Sequence, residues 1–94
     1  CSSKAAANML TRAMAAALGP MGIRVNAVLP GTVPTDINVE QLANAKVKDF
    51  IEEKSALGRL GKPEEVARAV LFLASEESSW TAGARLAVDG GFML

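Results

Sequence analysis

The residue types present in this chain of 94 residues limit the chemistry that it can perform. Histidine, the commonest general base and the commonest metal ligand, does not occur in the sequence. The single cysteine, Cys1, has no histidine to activate it, so we predict an inert residue rather than a nucleophile. We therefore expect neither a metal site nor catalysis by cysteine.

The charge balance and the composition exclude several classes of partner. Ten basic residues balance ten acidic ones, so the net charge of +0 offers no attraction for nucleic acid or anionic lipid. Aromatic residues, at 4%, are too few for platforms that stack bases. The sequence shows no signal-peptide pattern and no apolar run of about 18 residues. These features together predict a protein without nucleic-acid or membrane partners. A lone cysteine favours a reducing compartment, so we expect the protein to be cytoplasmic.

The first predicted element is a helix over Ser2–Leu18, a stretch of strong helix formers without Gly or Pro. Gly19 and Pro20 form its stop signal, in which Gly19 takes the left-handed position and Pro20 prevents continuation. The helix is rich in alanine and apolar on nearly every side. We therefore predict that one of its sides packs in the core and another forms a subunit interface.

A short strand is predicted over residues 23–29, where branched side chains alternate. Pro30 and Gly31 end this strand, and residues 32–38 form a loop. Ligands of open α/β sheets bind outside the carboxyl ends of strands, where such loops gather. The Pro-Gly pair therefore belongs either to a ligand site or to an ordinary strand-ending turn, and the pattern alone leaves both open.

Helical spacing returns in the second half of the chain. Residues 39–54 carry a narrow apolar stripe, which predicts a surface helix, and residues 55–62 form a connection. The next helix begins at Pro63, with glutamates at the positive end of its dipole. Its predicted buried face consists of Val66, Ala69, Val70 and Leu73.

A second strand over residues 84–88, closed by the turn at residues 89–91, completes the pattern. The order helix, strand, helix, helix, strand predicts an α/β fold with a parallel pair of strands. Parallel sheets are normally covered on both faces, and two strands cannot cover themselves. We therefore expect residues 1–94 to be incomplete as a fold.

Six segments, in order and at the right intervals, resemble the classical short-chain dehydrogenase/reductase family. They span nearly the whole chain: residues 2–6 (SSKAA), 22–28 (GIRVNAV), 30–35 (PGTVPT), 58–59 (GR), 63–67 (PEEVA) and 88–91 (VDGG). The resemblance implies that residues 1–94 are the carboxyl-terminal portion of one NAD(P)-binding Rossmann domain whose amino-terminal portion is absent. The departures at Ala56, Trp80 and Ala82 fall on positions that are structural in the family.

The resemblance assigns Lys4 to the family's Tyr-x-x-x-Lys pattern, in which positions four apart share one helix face. The tyrosine would fall just before Cys1, and the family's serine and Gly-rich loop would lie further upstream. A phenol has a pKa near 10, and a neighbouring ammonium group lowers that pKa by stabilising the phenolate. Lys4 is thus the predicted catalytic residue, and the resemblance implies that it also binds the nicotinamide ribose.

The resemblance assigns the remaining site residues to the loop after the first strand. It implies that Pro30, Gly31, Val33 and Thr35 bind the nicotinamide, with Val33 contacting the carboxamide through its backbone and Thr35 supplying a hydroxyl. Residues 38–54 correspond to the family's variable lid over the substrate. Because no residue here reads the ribose 2′ position, the cofactor is expected to be NAD or NADP.

Together these assignments imply an oxidoreductase that transfers a hydride between NAD(P) and an alcohol or ketone of the sugar, polyol or 3-oxoacyl type. By itself the chain is expected to be inactive. The expected partners are this small-molecule substrate and further copies of the chain, as a dimer or homotetramer, through the Ser2–Leu18 helix and the C-terminal strand. The alternative is a non-catalytic fragment or pseudoenzyme that acts as an interaction module through its Ala-rich helix.

Overall fold

The computed structural model describes residues 2–35 and 38–94, and for Ser2, Ser3 and Val39 the backbone alone. The prediction for Cys1, and two residues of the predicted loop, Asp36 and Ile37, lie outside the described residues. The elements follow the predicted order: α1 (Ser2–Leu18), β1 (Ala27–Pro30), α2 (Val39–Ala43), α3 (Ala45–Lys54), α4 (Pro63–Ala74) and β2 (Arg85–Val88), with 3₁₀ turns at Gly19–Met21 and Glu76–Ser78.

The chain divides into two compact units. One comprises Cys1–Val28 with Ala69–Leu86, and the other comprises Leu29–Arg68 with Ala87–Leu94. The first unit therefore contains α1, and the second contains α2 and α3.

The strands β1 and β2 form a two-stranded sheet. In the first unit Ala27 N donates to Ala84 O at 2.8 Å, and in the second unit Gly31 N donates to Val88 O at 2.9 Å. From the first bond to the second, the donor and the acceptor both move four residues towards the carboxyl end. The two strands therefore run in the same direction, as in a parallel ladder. The predicted parallel pair is confirmed.

The helix α1 ends at Leu18 as predicted, but the residue in the left-handed conformation is a different glycine. The assignment of that conformation to Gly19 is wrong, because Gly19–Met21 form a 3₁₀ turn and Gly22 has φ 77°. Pro20 fits an early position of this turn, where its missing N–H costs no helical hydrogen bond. The chain therefore makes one further turn before the left-handed residue.

The strand β1 begins at Ala27, later than the predicted start at residue 23. Immediately before it, the amide of Asn26 takes the place of a backbone pair. Its Nδ2 donates to Thr81 O at 3.0 Å, and its Oδ1 accepts from Ala84 N at 2.9 Å. The side chain thus satisfies the backbone groups that a longer strand would have paired.

The predicted helix over residues 39–54 is two helices, α2 and α3, because the chain breaks at Asn44. This residue has an extended backbone, with φ −77° and ψ 113°. Its Oδ1 accepts a hydrogen bond from Lys46 N at 3.0 Å and so caps the start of α3. Asparagine is among the preferred residues for this role, which an apolar-periodicity argument does not detect.

In the part of the chain that the structure describes, no hydrophobic side chain is buried, and the buried residues are Thr11, Ser55 and Ser78. On α1, Met9 and Leu10 are 72% and 59% exposed. The predicted burial of α1 on more than one face is therefore not met, because the described residues do not cover these side chains. None of the described helices combines the length and hydropathy needed to cross a membrane.

The predicted buried face of α4 is only partly correct. Val66, Ala69 and Leu73 are half-buried, whereas Val70 is 48% exposed. The described residues cover only part of the apolar face of this helix.

Arg24 connects the segment before β1 to the carboxyl end of α4. Its Nη1 donates to Leu73 O at 3.1 Å, to Ser78 O at 3.0 Å and to Ser78 Oγ at 2.9 Å. Its Nη2 donates to Ser75 O at 3.2 Å. The guanidinium group thus satisfies carbonyls that a helix leaves unpaired at its end, and it holds the buried Ser78 in place.

An ion pair between Arg59 and Glu65 links the connection at residues 55–62 to the first turn of α4. Both Nη atoms of Arg59 donate to the carboxylate of Glu65 at 2.8 Å, and Lys62 N donates to the same carboxylate at 3.0 Å. The hydrogen bonds from Arg59, followed by the one from Lys62 N, lower the pKa of Glu65 to about 2. The pair is partly exposed to solvent, so its contribution is screened by salt.

We expect Arg24→Lys to lower the free energy of unfolding by about 1–3 kcal/mol, because one ammonium cannot replace the guanidinium fork and leaves buried carbonyls unsatisfied. Urea denaturation of the full-length protein that contains this chain, monitored by circular dichroism, measures the change. Arg85→Lys, the same substitution at an exposed position of β2, is the matched control. An equal loss in both variants would contradict the role assigned to Arg24.

The lowered pKa of Glu65 predicts an acid-dependent loss of stability. A carboxylate with a depressed folded-state pKa stabilises the fold above its ordinary value of 4.5, and this contribution disappears as the pH falls towards about 2. Denaturation between these pH values should therefore show a shallower pH dependence in Glu65→Gln than in the wild type. Glu64→Gln should retain the wild-type slope, and a wild-type slope in Glu65→Gln would refute the prediction.

Candidate functional site

The structure brings together four of the five predicted site residues. Pro30 is the last residue of β1, and Gly31, Val33 and Thr35 follow it in the second unit. All four line one cavity of about 600 Å³, which we call the loop cavity. Lys4 lies on α1 in the first unit, is exposed, and is not among the residues that line this cavity.

Gly31 stands where no other residue fits. A Cβ atom built on it would lie 2.7 Å from Asp89 Cα and 2.8 Å from Asp89 Cβ, which no real side chain tolerates. The close approach follows from the strand pair, since Gly31 N donates to Val88 O one residue before Asp89. The Pro-Gly pair is therefore more than a turn signal, because the glycine permits the end of β1 to lie against the end of β2.

The loop after Gly31 is held from the connection at residues 55–62. Gly61 N donates to Thr32 O at 3.1 Å. A Cβ atom on Gly61 would lie 3.2 Å from Val33 Cγ2, so the two segments are in close contact. This contact supports the loop from the side of α4.

Asn38 organises the far end of the loop, a role that differs from its predicted place at the start of the lid. Its Oδ1 accepts from Thr35 N at 2.7 Å and lies 3.2 Å from Thr35 Oγ1. Its Nδ2 donates to Val33 O at 2.9 Å. The residue type alone could have indicated this role, because asparagine commonly binds nearby backbone groups in turns and at helix starts.

The loop cavity has the size and chemistry of a site for an uncharged polar group. Its volume is within the range of small-molecule sites. Among the described residues, none of its lining side chains is charged; besides the four predicted residues they are Thr32, Asn38, Gln41, Leu42, Val47, Ile51, Pro63 and Val66.

The polar groups of the loop fit a primary carboxamide. Within the described part of the chain, no atom accepts a hydrogen bond from Val33 N, and the hydroxyl of Thr35 lines the same cavity. A backbone N–H and a hydroxyl oxygen can together bind the carbonyl and the amino group of a carboxamide. The nicotinamide that the resemblance implies is thus compatible with the residues present.

A second cavity of about 440 Å³ lies around the turn that follows β2. It shares Gly31 and Val33 with the loop cavity but is lined by charged side chains, including Arg59 and Asp89. Ala56, which stands where the family often has proline, lines it as well and donates its N–H to Gly91 O at 3.1 Å. A proline could not make this bond, so the departure at Ala56 adds a backbone contact next to the turn.

Known proteins are similar to this chain in sequence and in the arrangement of their elements. The chain matches the family described as "Enoyl-(Acyl carrier protein) reductase" over residues 1–93. It is 46% identical over 92 residues to the L-rhamnose 1-dehydrogenase (NAD(P)(+)) of Sphingomonas sp. (strain SKA58), covering 98% of this chain and 36% of that protein. The chain therefore spans about a third of the length of this curated relative.

Solved structures agree with the fold. The 3-oxoacyl-[acyl-carrier protein] reductase of Brucella melitensis ATCC 23457 superposes with a TM-score of 0.91 at 36% identity, over 99% of this chain and 34% of that one. A 4-hydroxyisoleucine dehydrogenase complexed with NADH superposes with a TM-score of 0.91 at 30% identity, over 96% of this chain and 37% of that one. These likenesses confirm the predicted Rossmann-type α/β class, and with the family match they show that the chain belongs to the short-chain dehydrogenase/reductase family.

Proposed function

We propose that this chain forms the carboxyl-terminal part of an NAD(P)-dependent oxidoreductase that transfers a hydride between its cofactor and an alcohol or ketone. The observation that carries the proposal is the loop after β1. In a member of this family, Val33 and Thr35 line a cavity of a size that suits a small organic group, and none of its described lining side chains is charged. NAD and NADP share the nicotinamide that this loop would hold, so both are proposed as cofactors.

In this proposal the loop binds and orients the nicotinamide, which when bound supplies the hydride chemistry. Val33 N would donate to the carbonyl of the carboxamide, and Thr35 Oγ1 would accept from its amino group. Gly31 lets the backbone approach closely because it has no side chain in the way. By holding both groups of the carboxamide, Val33 and Thr35 would restrict the orientation of the ring relative to the substrate.

Lys4 is the proposed catalytic residue of this chain. It would act with a tyrosine four residues upstream on the same helix, where its ammonium group stabilises the phenolate and lowers the pKa of the phenol. The tyrosine then exchanges a proton with the substrate oxygen near neutral pH. Lys4 would also hydrogen-bond the nicotinamide ribose, which couples cofactor binding to proton transfer.

The proposed substrate is a sugar or polyol, or a 3-oxoacyl compound. Two of the three proteins named above act, according to their names, on L-rhamnose and on a 3-oxoacyl group, and the third acts on 4-hydroxyisoleucine. Hydroxyl and amide side chains on Thr32, Asn38 and Gln41 give the loop cavity neutral donors and acceptors, which suit substrates rich in hydroxyl groups. The helices α2 and α3 would form the lid over this substrate.

We further propose that the protein assembles as a dimer or homotetramer in the cytoplasm. Met9, Leu10 and Met14 expose large apolar side chains on α1. Within the described chain, β2 pairs only with β1, which leaves its other edge available to a second copy. The cytoplasmic location rests on the single cysteine, which favours a reducing compartment.

The proposed activity is tested with the full-length protein that contains this chain. NAD(P)H absorbance is followed with a sugar or polyol in the oxidative direction and with a 3-oxoacyl thioester in the reductive one. Turnover by one of them is expected, and Lys4→Ala should lower kcat by about 10²–10⁴-fold, the usual contribution of acid–base catalysis. Lys4→Arg should restore part of the activity, because it keeps the charge at a different position.

Arg68→Ala removes an exposed basic residue of α4 that does not line the loop cavity and should leave kcat unchanged. Near-normal turnover in Lys4→Ala would exclude the catalytic assignment. No turnover with any substrate, together with no binding of NAD or NADP, would refute the proposed function itself.

The proposed assembly is tested by placing a charge on the exposed face of α1. Leu10→Glu should convert the oligomer to a smaller species in sedimentation velocity, because a buried unpaired carboxylate opposes association. Phe50→Glu is the matched control, since Phe50 is an exposed apolar residue of α3 outside the proposed interface. An unchanged sedimentation coefficient in Leu10→Glu would contradict an interface through α1.

A further inference from the structure

The hydrogen bonds of Asn38 define which atoms of the loop remain available to a ligand. Thr35 N lies 2.7 Å from Asn38 Oδ1, and a backbone N–H can only donate. The amide of Asn38 therefore has its oxygen towards Thr35 and its Nδ2 towards Val33 O, at 2.9 Å. The opposite orientation would place two donors face to face, so the network itself determines the orientation of the amide.

This orientation determines the direction of the Thr35 hydroxyl. Asn38 Oδ1 is an acceptor only, so at 3.2 Å it takes the single hydroxyl proton of Thr35. The lone pairs of Thr35 Oγ1 are then left to accept hydrogen bonds from a ligand. Because Asn38 Nδ2 occupies Val33 O, the backbone of Val33 is left with its N–H as the group to offer.

We propose that Asn38 is a positioning residue that makes the loop present one donor, Val33 N, and one acceptor, Thr35 Oγ1, and so selects a primary carboxamide. This inference rests on the proposed function, since it concerns the same site. A carboxamide complements the pair with both its carbonyl and its amino group. A ligand with a carbonyl but no amino group can satisfy only Val33.

The test measures binding to the full-length protein by titration calorimetry. The probes are the oxidised dinucleotide, its 3-acetylpyridine analogue, in which a methyl ketone replaces the carboxamide, and ADP-ribose, which lacks the ring. The wild type should bind the carboxamide form more tightly than the methyl ketone by a factor on the order of tenfold, as expected for one hydrogen bond. Asn38→Leu should abolish most of this preference and leave the Kd of ADP-ribose unchanged.

Two further variants separate positioning from a general structural role. Asn38→Asp keeps an acceptor for both Thr35 groups and should retain the preference for the carboxamide, although it loses the bond to Val33 O. In a Thr35→Val background, Asn38→Leu should cause no additional loss of preference, because the acceptor it orients is already gone. Asn44→Leu, which removes the capping asparagine of α3, should lower stability without altering the preference.

The outcomes distinguish this inference from the function on which it rests. Binding of both dinucleotides with a preference that Asn38→Leu does not change would overturn the role of Asn38 and leave the oxidoreductase intact. Loss of the preference in Asn38→Asp would also overturn it, and this variant remains informative if Asn38→Leu fails to fold. Binding of neither dinucleotide to the wild type would refute the proposed function together with the inference.

Discussion

The parallel pairing of β1 with β2 places the residues after each strand side by side, and the candidate site depends on this contact. Gly31 lies so close to Asp89 that a side chain on it would collide with backbone. The loop that follows has to leave the sheet at this point, and it turns towards Gly61, which binds Thr32 O. A larger residue at position 31 would push the two strand ends apart and displace the loop.

Several side chains fix the local geometry of the chain by binding backbone atoms. Arg24 satisfies carbonyls at the end of α4, and Asn26 replaces a pair in the strand ladder. Asn44 caps α3, and Asn38 holds the loop. Each of these bonds depends on direction as well as on distance, so it specifies a local geometry that apolar contacts alone do not impose.

The residues predicted for the site partly come together in the structure, and their role in a site stays a prediction. Pro30, Gly31, Val33 and Thr35 were predicted together, and they do line one cavity. The sequence predicts Asn38 only as the junction of the loop and the lid, because no periodicity or charge pattern marks a residue that acts through two hydrogen-bonding groups at once. The proximity of Gly31 to Asp89 was not predictable either, since it joins residues far apart in the chain.

The sequence by itself determined the order of the elements, the α/β class and the ends of α1, because helix formers, branched alternation and Gly-Pro signals act over a few residues. It also carried the family resemblance, which depends on the spacing of motifs. The break of the helix at Asn44 and the left-handed Gly22 depend on short-range hydrogen bonds, from Lys46 N to Asn44 Oδ1 and from Gly22 N to Gly19 O, which apolar periodicity does not detect. Only the tertiary structure decided that β1 begins at Ala27, because the amide of Asn26 binds backbone groups of Thr81 and Ala84, which become its partners only when the second strand is in place.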